Sequence, residues 1–82
     1  MLTEKFWIVK NPTEHSEMVD VCWETDVNTF ARYVLGTGLS KFEEECHQVH
    51  TSERTARTEA QLRLNVRDGI LKTLAQSRAV GR

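Results

Sequence analysis

Proline occurs once in these 82 residues, glycine four times and cysteine twice. No stretch is rich in Ser and Gly, no segment repeats and none is of low complexity, so a flexible linker or a repeat array is not indicated. Cys22 and Cys46 could form at most one bridge and define no disulfide framework; in a reducing cytosol they act as small buried hydrophobes. Long apolar runs are missing too. The longest are Phe6-Trp7-Ile8-Val9 and Tyr33-Val34-Leu35, far short of the roughly 18 to 20 residues a membrane span requires. Residues 1–10 show no basic segment followed by an apolar stretch and a small-residue cleavage site. The expectation is a cytoplasmic protein with no membrane partner.

What is present suits a small globular domain. Apolar residues make up 39% and charged residues 28%, and a chain of this length buries about 60 to 65% of its unfolded surface, enough for one modest core. The net charge of -1 hides an asymmetry: residues 1–50 carry nine acids and four bases, residues 51–82 three acids and seven bases, so the halves are -5 and +4. Either the halves attract each other or they present two faces to a charged partner.

Lys5-Phe6-Trp7-Ile8-Val9-Lys10 is aromatic and β-branched and runs into Asn11-Pro12, which predicts a strand and then a turn. Val19, Val21 and Trp23 alternate with Met18, Asp20 and Cys22, predicting a second strand hairpinned to the first. Asp26 reads as a helix cap, with Val27, Phe30, Ala31, Val34 and Leu35 at helical spacing up to Gly36. Residues 39–50 fit two readings. Ser40 and Glu43 form a capping-box pattern before a helical stripe of Phe42, Cys46 and Val49, while Phe42, Glu44, Cys46 and Gln48 would share one face of a strand. Pattern slightly favours the helix; a two-stranded hairpin, however, is marginal without a third strand. From Thr51 and Ser52 onward, Ala56, Ala60, Leu64, Leu71, Leu74 and Ala75 predict a long C-terminal helix, against a competing alternation of Leu62, Leu64 and Val66 before Asp68-Gly69.

No catalytic constellation stands out. Cys46, His47 and His50 are clustered and Cys22 could be a fourth metal ligand, but the paired close ligands of structural zinc sites are missing. A core cysteine beside surface histidines is the simpler reading. Gly36-Thr37-Gly38 lacks the Lys and Ser/Thr of a phosphate loop. Glu43-Glu44-Glu45 reads as a solvated acidic surface, not an acid/base set. No cofactor is expected, and the chain is not expected to be an enzyme. Arg54, Arg57, Arg63, Arg67, Lys72 and Arg78 stud the C-terminal segment, with Arg63 and Arg67 at i, i+4 spacing that suits phosphate contacts. They are interleaved with Glu53, Glu59 and Asp68, and the pI is near 6.3, so direct nucleic-acid binding is not expected. The acidic half could instead face a basic channel that normally holds nucleic acid.

Lys5-Phe6-Trp7, then Glu14-His15-Ser16, Val19 and Glu24-Thr25 resemble, at the same spacing, the small inhibitor of bacterial RNA polymerase made early in infection by T-odd short-tailed coliphages. Phe42-Glu43 matches the start of that family's third strand, and the similarity spans roughly residues 5–50. The resemblance implies a β-β-α-β fold, with residues 41–50 as a strand. It also implies binding to the jaw of the polymerase β′ subunit at the downstream DNA channel, which blocks productive open-complex formation by the housekeeping sigma holoenzyme. The family's third strand carries two arginines, and the ungapped match puts Cys46 and Gln48 there. The combined expectation is an α+β protein: a β-β-α-β core over residues 1–50, and a basic, mainly helical extension of the same domain over 51–82. Its partner is bacterial RNA polymerase, through the β′ jaw or sigma, in a host-cell cytoplasm. Glu43, Glu44, Glu45, Gln48, Arg54, Arg57, Arg63 and Arg67 are the expected contacts, the arginines substituting for those missing from the third strand. An inhibitor of another host complex, such as a defence system, or a small nucleic-acid-binding regulator are the alternatives.

Overall fold

The computed structural model describes residues 4–80, so residues 1–3 and 81–82 of the two expected regions lie outside it. In chain order the elements are β1 (Lys5–Val9), α1 (Met18–Val21), β2 (Cys22–Asp26), α2 (Val27–Thr37), α3 (Leu39–Glu44), β3 (Gln48–His50) and α4 (Glu53–Val80). The three strands form one antiparallel sheet in the order β2-β1-β3, so the α+β class and the long C-terminal helix are both present.

Register decides what each face of the sheet buries. Trp7 lies opposite Glu24 and His50, Ile8 opposite Trp23 and Val49, and Val9 opposite Cys22 and Gln48. Because side chains alternate across a strand, Trp7, Val9 and Cys22 share one face and Phe6, Ile8 and Trp23 the other. Helix α4 covers the first face: Val9, Val21 and Cys22 pack with Ala56, Ala60 and Leu64, and Trp7 and Met18 close the edges. Two of the three helix residues in that core are alanines, which have no side chain to hold the helix away from the strands. The second face is aromatic. Phe6 meets Phe30 edge-on at 5.4 Å and Trp23 meets Tyr33 at 5.3 Å, while Phe42 joins through Phe30 and the ring of His47. Edge-to-face pairs of this kind add stability beyond their buried area. The sheet is thus a middle layer between α4 and the α2-α3 pair.

Three local expectations are corrected. The alternation from Met18 to Trp23 is not one strand, because Met18–Val21 is a single helical turn. Asp20 accepts a hydrogen bond from the Glu17 N–H at 2.8 Å, and this local cap outweighs the period-two pattern, so the strand starts at Cys22. Helix α2 passes Gly36 and stops at Gly38, whose φ of 91° is open to glycine and costly for other residues. Residues 41–50 are not a continuous strand. Leu39–Glu44 is helical, Cys46 turns the chain at φ 55°, and only Gln48–His50 pairs with β1. The helical pattern prevails in the first half of that stretch because Phe42 belongs to the aromatic layer, and of the strand that the resemblance implied over residues 41–50 only Gln48–His50 is present.

Two of the expected caps are present, whereas the Ser40–Glu43 capping box is not: α3 starts at Leu39, after Gly38, with no side-chain cap. Ser52 accepts from the Thr55 N–H at 3.3 Å at the start of α4, and the Asp26 carboxylate accepts from the Thr29 N–H at 2.8 Å. That backbone hydrogen bond, with the Thr29 side chain, holds the Asp26 carboxyl below the usual carboxylate range. A lowered folded-state value means stabilisation that is complete above the unfolded value and is lost as pH falls through the folded one. Asp26→Ala is therefore expected to melt at a lower temperature than the parent at neutral pH, with the gap narrowing between about pH 5 and about pH 2. Paired thermal melts across that range check it, and a gap independent of pH would contradict it.

Candidate interaction surface

The arginines expected to reach a partner divide into two groups. Arg63 and Arg67 turn inward, and each side chain is only 18% exposed. Arg67 donates through Nη1 to the backbone carbonyls of Thr13 (2.8 Å), Glu14 (3.4 Å) and Ser16 (2.6 Å), and through Nε to Asp68 at 2.9 Å. Arg63 donates to the Cys46 carbonyl at 2.8 Å and pairs with Glu59 at 2.7 Å. A guanidinium has five N–H donors in a fixed fork, and here those forks fasten the β1–α1 loop and the turn before β3 onto α4. Arg54 and Arg57 are exposed in the first turns of α4. Arg57 pairs with Glu53 at 2.7 Å and lies over the Trp7 ring at 5.3 Å; the Glu53 hydrogen bond pushes its basicity further up.

The acidic candidates face outward. Glu43 and Glu44 are exposed at the end of α3, and Gln48 is exposed on β3. Glu45 is half-buried, paired with Lys10 at 3.5 Å and lying 3.8 Å from His47. The Arg63 hydrogen bond to Cys46, next in sequence, draws α4 to this same end of the sheet. Glu43, Glu44, Glu45 and Gln48 therefore cluster near Arg63, while Arg54 and Arg57 sit apart, towards Trp7.

The Cys46, His47 and His50 group does not converge. The His47 side chain is fully buried; one ring nitrogen lies 2.7 Å from the Phe42 carbonyl, the other 2.7 Å from the Tyr33 hydroxyl, and the ring stacks on Phe42 at 4.1 Å. With Nδ1 donating to the carbonyl and Nε2 hydrogen-bonded to the Tyr33 hydroxyl, both ring nitrogens are satisfied within the chain. His50 bonds Glu59 at 3.0 Å. Burial pushes the Cys22 thiol up, opposite to what a nucleophilic cysteine needs. Burial also raises the Tyr33 hydroxyl, so it stays a neutral donor to His47.

One surface was missed from sequence. Leu62, Val66, Ile70 and Leu74 are 60, 62, 56 and 47% exposed and stand four residues apart along α4. Beside them, a groove of about 470 Å³ runs between the helix and the 11–14 loop, with Pro12, Leu62, Val66, Ile70 and Leu71 among its walls. The signal was available in the regular i, i+4 spacing. It was obscured because Leu62 and Val66 also alternate with Leu64 as a strand would. None of the helices is long and apolar enough to cross a membrane among the described residues. Comparison with protein families, with characterised proteins and with solved structures finds no match to this chain.

Proposed function

We propose that this chain is a non-catalytic protein that binds bacterial RNA polymerase stoichiometrically and inhibits transcription by occupying its downstream DNA channel. The observation that carries the reading is the sorting of charge. Arg63 and Arg67 are engaged with this chain's own carbonyls and Arg57 with Glu53, whereas Glu14, Glu43 and Glu44 are exposed and pair with no cation among the described residues. Exposed Lys41 opposes them within α3, so the exposed charge of α3 and the 11–14 loop is acidic on balance, suited to a channel whose basic lining holds nucleic-acid phosphates. The resemblance of residues 5–50 supplies the partner; the three-stranded sheet with helix α2 between its second and third strands has the strand and helix order that it implies, with α1 and α3 added. The inward turn withdraws Arg63 and Arg67 from phosphate contact, which leaves Arg54, Lys72 and Arg78 as the exposed cations of α4 without an ion pair among the described residues.

Tagged protein incubated with a bacterial lysate is expected to retain polymerase subunits, and purified protein to inhibit transcription from a promoter in vitro. Charge reversal at two exposed positions, Glu43→Lys with Glu44→Lys, should weaken binding about tenfold, mainly through the association rate, while the thermal melt stays unchanged. Failure to retain polymerase overturns the proposal. Retention of a different complex moves the partner, and steep salt-dependent capture of DNA would restore the nucleic-acid reading.

A further inference from the structure

We draw no further inference here: the strongest candidate, the exposed apolar face of α4 formed by Leu62, Val66, Ile70 and Leu74 beside the groove at the 11–14 loop, carries none because nothing in the structure shows what covers it.

Discussion

Ile8→Ala is expected to cost about 2 to 5 kcal/mol, the range for removing a buried branched aliphatic side chain. Ile8 has no exposed surface and sits on the central strand, between Trp23 and Val49 in the sheet. Its face is covered by rings that already meet one another edge-on, from Phe6–Phe30 and Phe30–Phe42 to Trp23–Tyr33. Interlocked rings cannot slide inward to fill a vacated space without giving up those contacts, which places the cost in the upper part of the range. Domains of this length have about 4 to 12 kcal/mol of total stability. Urea unfolding should therefore show a midpoint reduced by a third or more with little change in slope. Ile8→Val, which keeps the branch and loses one methyl, should cost about 1 kcal/mol. An alanine variant within about 1 kcal/mol of the parent would mean that the aromatic layer is far more adaptable than its geometry indicates.

Arg67→Ala is expected to destabilise by about 2 to 3 kcal/mol, the scale of hydrogen bonds to a charged group together with carbonyls left without a donor. One guanidinium nitrogen serves three carbonyls of the β1–α1 loop, more than fifty positions earlier in the chain. The loop has few other ties; among them, Thr13 donates its N–H to the Ser16 hydroxyl at 2.8 Å. Hydrogen exchange should accordingly accelerate at residues 11–16 before it does in the sheet. Arg67→Lys should recover only part of the loss, because a single ammonium does not reproduce the planar fork. If Arg67 acted only on a partner, the alanine variant would melt like the parent and lose binding alone.

The difference between Arg67 as expected and Arg67 as found shows where legibility stops. Lys5–Val9, the Asp26 cap, the Ser52 cap and the length of α4 were readable because each depends on residues within a few positions of one another. The inward turn of Arg63 and Arg67 was not, because their acceptors are backbone carbonyls at Cys46 and in the 13–16 loop, and a carbonyl has no signature in the sequence. The same limit applied to Met18–Val21. Its alternation is genuine, yet one local hydrogen bond from Glu17 to Asp20 suffices to coil four residues whose buried member, Val21, fits the core in either conformation. At residues 39–50 the composition supported both helix and strand, and the chain uses each in turn, separated by the left-handed residue Cys46.

Helix α4 also sets how the molecule moves through solvent. Its 28 residues measure about 42 Å against strands of at most five residues, and every described side chain from Lys72 onward is exposed. The molecule extends 61 × 27 × 15 Å with a radius of gyration of 15.5 Å, against about 12 Å for a compact chain of this length. Such a rod-and-body particle meets more friction than a sphere of equal mass. A single copy therefore elutes early from a sizing column and passes there for something heavier, so elution volume alone misstates how many chains travel together.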